Sequence, residues 1–200
     1  MNPFFLLLII FGYLFGSIPF GYLISKLNGV DIRKVGSGNI GGTNVIRALG
    51  KKWGLLTGIL DVLKGVIPVF LAVKFLPFDW QIALVAIFPV LGHIFPIWLN
   101  FKGGKGVATA AGVLFVLLGW QNSLILILVW LLILAILQIM SLTNLLLVAS
   151  LPLIFWFTSF PLAYFILSLA LFVLISWAHR ENIRRLKKGE ESKFKFKKTL

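Results

Sequence analysis

Three stretches of this 200-residue chain gather the side chains able to do chemistry. In the first, VGSGNIGGTNVIRALGKKWG, Ser37, Asn39, Thr43, Asn44 and Arg47 offer hydroxyl, amide and guanidinium donors around Gly38, Gly41 and Gly42. Glycines free a backbone to turn its N–H groups inward, and a guanidinium supplies a fixed fork of donors, so the combination suits an oxyanion. Residues 36–44, GSGNIGGTN, also spell GxGxxG, with Asp61 twenty positions after Gly41. That is the letter pattern of a dinucleotide fingerprint. The reading fails on context, because no strand precedes Gly36 and no βαβ unit fits around it.

The second stretch is GHIFPIWLNFKGGKGVAT, 92–109. A Walker loop requires glycine five residues before its GK and serine or threonine after it, whereas positions 99 and 106 are Leu and Gly. What remains is phosphate-type chemistry without nucleotide hydrolysis: Gly103, Gly104 and Gly106 to let amides close on an oxyanion, and Lys102 and Lys105 to supply charge before a helix start. His93, at a membrane edge beside Pro96, reads as a structural helix-end histidine. The third stretch, HRENIRRLKKGEE, 179–191, places His179 and Asn182 on one face of a continuing helix. Spacing alone leaves structural and functional roles level for those two. Arg184, Arg185, Lys187 and Lys188 read as a basic membrane-edge anchor.

The elements that must position these residues are membrane helices. The chain is 60% apolar and 12% charged, which does not describe a water-facing surface. Spans of about 20 apolar residues cut it into seven pieces, 3–27, 54–76, 80–98, 106–120, 122–140, 143–158 and 160–178, with five or six possible where the weakly punctuated run from 106 to 178 merges. The expected fold is therefore an all-α polytopic bundle, with residues 1–191 as one membrane-embedded domain and 192–200 as a basic tail. The first apolar segment reads as a retained span. A net charge of +13, from 19 Lys and Arg against 6 Asp and Glu, falls almost wholly on the loops of one side. The positive-inside rule then puts the amino terminus outside and the carboxyl terminus in the cytoplasm, with all three clusters on the cytoplasmic side. Asp61 and Lys64 lie within the second span at i and i+3, so an internal pair facing the polar site is expected.

Several classes drop out. There is no cysteine, so no disulfide or thiolate chemistry, and no carboxylate or histidine cluster spaced for a metal. No cofactor is implied, and a membrane protein with this charge distribution points to anionic partners rather than nucleic acid. Neither histidine has aspartate five positions on, since Trp98 and Arg184 stand there, so the HxxxxD acyltransferase signature is missing. An anion or phospholipid transporter is the alternative, but polar residues concentrate at one end and no internal repeat is visible.

Taken together, GSGNIGGTNVIR, GHIFPIWLNFKGGKGVAT and HRENIRRLKKGEE resemble the three motifs of the bacterial PlsY family, acyl-phosphate:glycerol-3-phosphate acyltransferases of the inner membrane. The resemblance implies acyl transfer from acyl phosphate to the 1-hydroxyl of glycerol 3-phosphate, giving lysophosphatidic acid and phosphate for phospholipid synthesis. It implies required roles for Ser37 and Arg47, glycerol-phosphate binding at the second-motif glycines, and catalytic or substrate-positioning roles for His179 and Asn182. It further implies a fold-supporting role for Glu181 and an approach of Ser141 to the site. The expected chain works as a monomer among membrane lipids.

Overall fold

The computed structural model describes residues 3–194 and is helical throughout its regular elements. The last six positions of the expected 192–200 tail lie outside the described residues. The first expected span is two helices, α1 Pro3–Ser17 and α2 Phe20–Leu27. Pro19 stands between them, and a residue with no N–H to donate and a fixed φ cannot continue the α1 ladder. After a short 3₁₀ turn at Ile32–Lys34 come α3 Gly42–Leu49, α4 Lys51–Phe75 and α5 Asp79–Ile94. A second 3₁₀ turn, Ile97–Leu99, leads to α6 Val107–Leu137, then α7 Met140–Phe157, α8 Leu162–Ala178 and α9 Arg180–Lys187.

Five of these stretches are long and apolar enough to cross a bilayer, and α8 with α9, bent by 64°, makes a sixth. The seven-way cut thus resolves to five or six. Pieces 106–120 and 122–140 both fall in α6, whose helical geometry breaks at Gly119, φ 77° and ψ 168°. The portion before that break is about a dozen residues, roughly 18 Å at 1.5 Å per residue, too short to span alone.

The chain forms two compact units, Met1–Leu117 and Leu118–Leu200. In the first, helices meet through glycines. A Cβ on Gly16 would fall on the Pro89 backbone, one on Gly92 on Tyr13 O, one on Gly65 on Thr109 O, and one on Gly112 on Val62 O. Lipid tails are as apolar as leucine, so helices in a bilayer gain by close backbone approach more than by hiding apolar surface. The side chains left outward, Leu7, Ile10, Phe70 and Leu55 among them, are correspondingly large and apolar. Tyr13 Oη donates to Phe95 O at 2.8 Å and ties α1 to the loop that follows α5.

In the second unit α7 packs on α8. Phe155 is buried between Phe160 and Tyr164, with ring centroids 5.4 and 6.5 Å away. Trp130 Nε1 donates to Asn144 Oδ1 at 2.8 Å, joining the later part of α6 to α7.

The same substitution should have opposite effects at two helix glycines. Gly16→Ala must push α1 off α5 and is expected to destabilise by roughly 1–3 kcal/mol. Gly58 lies within α4 with nothing within 4 Å of its missing Cβ, so Gly58→Ala should be neutral or stabilising by up to about 1 kcal/mol. Thermal unfolding of the two variants in detergent measures both signs.

Candidate functional site

The first glycine stretch folds around Asn44. This side chain is 2% exposed; its Nδ2 donates to Val35 O and Asn39 O at 2.9 Å and, more weakly, to Ile32 O at 3.2 Å. Its Oδ1 accepts from the Ser37 N–H at 3.0 Å. Gly36 has φ 58°, and a Cβ there would strike Asn44 Oδ1. A left-handed backbone pressed against a buried amide accepts only glycine. Asn39 Oδ1 accepts from the Gly41 N–H at 2.9 Å, and the Gly38 N–H donates to Val35 O.

These contacts redistribute the expected donors. The Asn44 side chain spends its donors and accepts one N–H inside the loop. The amides of Ser37, Gly38 and Gly41 are likewise engaged. The start of α3, at Gly42 and Thr43, is half-buried, and no side chain caps the helix. Uncapped leading N–H groups carry the positive end of the helix dipole. Arg47 follows one turn after Thr43, exposed, with its stem 3.9 Å from where a Gly36 Cβ would sit. Ser37 is exposed at the same loop.

At the lip of this loop Asp31 accepts from Arg33 Nε and Nη2, both at 2.9 Å. The Arg33 hydrogen bonds lower the Asp31 carboxyl to about 2. Arg33 in turn stacks over the Tyr22 ring at 4.7 Å. Residue types gave no hint of this pair, because its partners are two positions apart in an irregular loop.

The second stretch comes to the first through Leu99, which packs on the buried cluster of Ile32, Ile40 and Val45. Its glycines do something other than expected. The Gly103 N–H donates to Ile94 O at 3.1 Å and the Gly104 N–H to His93 O at 3.0 Å, so neither amide is left for an anion. The loop is instead drawn against the end of α5, where a Cβ on Gly103 would meet His93 O and one on Gly104 would meet His93 Nε2. Gly106 has φ 79° and turns the chain into α6. Lys102 is exposed and Lys105 half-buried on this loop.

Beneath it lie the charges of α4. Lys64 Nζ is 2.9 Å from Asp61 Oδ1 and 3.3 Å from His93 Nδ1, with all three side chains at least 96% buried. Lys64 Nζ also stands 5.2 Å from the Phe20 ring centroid. The expected internal pair is therefore present, and His93 is its third member.

The third stretch builds a polar end in the second unit. His179 caps α8 at the bend into α9 and is fully buried. Its Nδ1 is 2.8 Å from Ile175 O. A carbonyl only accepts, so Nδ1 carries a proton. Asn182 Nδ2 and Ser141 Oγ both donate to Glu191 Oε1, at 2.6 and 2.8 Å, while Arg185 Nε donates to Glu191 Oε2 at 2.6 Å. Glu181, by contrast, is exposed and pairs with exposed Arg184 at 2.9 Å. The carboxylate that fastens this region is thus Glu191. The signal for it was Gly189: at φ 71° just past α9 it turns the chain back, as helix-ending glycines do.

Glycine-packed apolar helices of this length define a polytopic integral membrane protein. The chain belongs to the glycerol-3-phosphate acyltransferase family, whose model matches residues 6–189. The glycerol-3-phosphate acyltransferase of Aquifex aeolicus (strain VF5) is 46% identical over 190 residues, covering 94% of this chain and 98% of that one. That of Thermotoga petrophila is 47% identical over 186 residues, 92% and 93% of the two chains. Among solved structures, the glycerol 3-phosphate form of PlsY, an integral membrane glycerol 3-phosphate acyltransferase, is similar at TM-score 0.91 and 46% identity, covering 96% of each chain. Its lysophosphatidic acid form is similar at 0.89 and 45%, covering 96% and 95%. The match favours acyl transfer over the transporter alternative.

The Glu191 clasp carries a pH signature. Burial raises the Glu191 carboxyl, but hydrogen bonds from Asn182, Arg185 and Ser141 outweigh it and leave the group below its ordinary 4.5. A carboxylate depressed on folding stabilises above its unfolded value and loses that contribution as pH falls through the folded one. The stability difference between the native chain and Glu191→Gln should be full at neutral pH and vanish in acid below 4.5. Unfolding midpoints across a pH series measure it.

Proposed function

We propose that this chain transfers a fatty acyl group from acyl phosphate to the 1-hydroxyl of glycerol 3-phosphate, giving lysophosphatidic acid and inorganic phosphate. The observation that carries the reading is the family match over residues 6–189, which takes in the first two polar clusters and residues 179–189 of the third. The hydroxyl oxygen attacks the acyl carbonyl carbon, a new ester C–O bond forms, and the bond to phosphate breaks with its electron pair leaving on phosphate. The hydroxyl proton passes to His179 Nε2 or to a phosphate oxygen of the substrate itself. A mixed anhydride has a good leaving group, so positioning, charge stabilisation and one proton acceptor suffice and no acyl-enzyme is required.

Each residue has a part in this reading. Ser37, the α3 start at Gly42 and Thr43, and Arg47 hold phosphate oxygens, with Lys102 and Lys105 adding charge from the second loop. Gly38, Asn39 and Gly41 shape the first loop, and Gly103, Gly104 and Gly106 shape the second. Asn182 and Ser141, tied to Glu191, keep the helix bend at His179 in place. The asymmetry of Lys and Arg among the loops supports an outside amino terminus and a cytoplasmic carboxyl terminus in a bacterial inner membrane, with this chemistry on the cytoplasmic side. Residues 1–191 work as one catalytic domain and as a monomer.

Purified protein incubated with acyl phosphate and glycerol 3-phosphate should release phosphate only when both are present. No release from folded protein, or release without the acceptor, would sink the proposal. Arg47→Ala should lower kcat/KM about 10- to 150-fold, since a hydrogen bond to a charged group is worth roughly 1.5–3 kcal/mol. His179→Gln should lower kcat by about 10²- to 10⁴-fold if imidazole is the base. A value near that of the native chain assigns the proton to the substrate phosphate.

A further inference from the structure

One face of α2 changes character along its length. Pro19, Tyr22, Leu23 and Lys26 follow at three- and four-residue spacing, so they share a side of the helix that is apolar at its start and charged roughly 10 Å further on. Ile18, Pro19, Tyr22 and Leu23, with Trp98 and Leu99 of the second 3₁₀ turn, line a groove of about 380 Å³. Its lining is apolar and its volume is that of a ligand site. Tyr22 and Leu99 also pack on the Ile32, Ile40 and Val45 cluster beneath the first polar loop. The groove therefore runs along the wall of that loop, with Leu23 and Trp98 exposed at its rim.

Charge gathers at the Tyr22 end. Lys26 Nζ lies 5.7 Å from the Tyr22 ring centroid and the Arg33 guanidinium 4.7 Å from it. A second cavity, of about 210 Å³, is bordered by Lys26 and Asp31 and shares Tyr22 with the groove. An apolar groove with cations at one end suits an amphiphile with an anionic head and an alkyl chain. Acyl phosphate is such a molecule, a single chain ending in a phosphoryl group. Lipid tails around the protein are as apolar as the groove, so the chain gains little free energy by moving from one to the other. What a shaped groove adds is position, because a chain held in one place keeps its carbonyl carbon where the acceptor hydroxyl can reach it.

We propose that this groove seats the fatty acyl chain of the acyl donor, with Tyr22 and Trp98 as its walls and as specificity-determining residues. The inference rests on the acyl-transfer reading for the identity of the chain. The groove between α2 and the 97–99 turn, and the cations beside Tyr22, stand apart from it.

Two measurements on the whole protein in detergent test it. The first compares kcat/KM for palmitoyl phosphate and butyryl phosphate at saturating glycerol 3-phosphate. Leu23→Trp, which puts an indole into the groove, should lower the palmitoyl-to-butyryl ratio roughly 10- to 100-fold, since displacing a reacting group by about 1 Å can cost 10²-fold. Trp98→Ala, which removes one wall, should move the ratio in the same direction. Ile59→Trp, at an exposed position of α4, should leave it where it is. In the second measurement an alkyl phosphate with a diazirine in mid-chain is photolysed with the native protein. The label should fall on the groove residues, and excess unlabelled alkyl phosphate, but not phosphatidylcholine, should suppress it. An unchanged ratio in folded Leu23→Trp would overturn the proposal. So would label that falls equally on exposed α4 positions such as Leu55 and Phe70 and resists the unlabelled alkyl phosphate, a result that gives the groove to bulk lipid. The labelling decides the matter even where Leu23→Trp fails to fold. Failure of the acyl-transfer reading shows separately, as suppressible label in the groove of a protein that turns over neither acyl phosphate.

Discussion

An ion pair inside an apolar helix unit sets the terms for the first unit. A lone charge at mid-bilayer costs about 2.5–3.5 kcal/mol on insertion scales, and a buried pair repays its desolvation only with close geometry and further hydrogen bonds. Asp61 and Lys64 meet at 2.9 Å, Lys64 reaches His93 Nδ1, and its ammonium lies over the Phe20 ring. These contacts connect α4, the end of α5 and the start of α2. His93 in turn fixes where the glycine loop can lie, because the Gly104 N–H donates to its carbonyl and its ring edge fills the space beside the Gly104 Cα. A charge pair in the second span thereby decides the position of a loop at the membrane edge.

Glycine serves close approach in two settings in this molecule. Between helices, Gly16, Gly65, Gly92 and Gly112 let backbones touch where lipid offers no hydrophobic drive to associate. In the loops, Gly36 takes a left-handed turn against the buried Asn44 amide, while Gly103 and Gly104 seat the second loop on α5. The phosphate-loop look of both stretches is therefore partly misleading. Most of their amides satisfy carbonyls within the fold, as buried backbone must.

The second unit solves a related problem with a returning chain. His179 lies at a 64° bend, where a break in the helix would leave polar groups unsatisfied. Nδ1 bonds back to Ile175 O, and Gly189 swings Glu191 into reach of Ser141, Asn182 and Arg185. One carboxylate with several donors holds α7, α9 and the segment after it in register.

Much of this was legible in the residues themselves. Hydropathy located the helical stretches, because about 20 apolar residues have few other uses. The three polar clusters announced the chemistry through their residue types, and opposite charges at i and i+3 announced the Asp61–Lys64 pair. The number of spans was not legible: the break at Gly119 is a backbone dihedral, and an apolar run reads the same whether helical geometry continues or fails. Nor could residue type show that the Asn44 side chain bonds inside the loop while Ser37 and Arg47 are exposed, since all three carry donors. Nor did it show the partners of Glu191, which come from a reversal of the chain at Gly189; the role given to Glu181 came from the family resemblance. Sequence by itself determined the class, the family resemblance and the candidate chemistry, all of which depend on residue type and local spacing. Only the tertiary structure decided which donors are already spent, where His93 stands and which carboxylate holds the helix bend, because hydrogen-bond partners distant in sequence compete for the same groups.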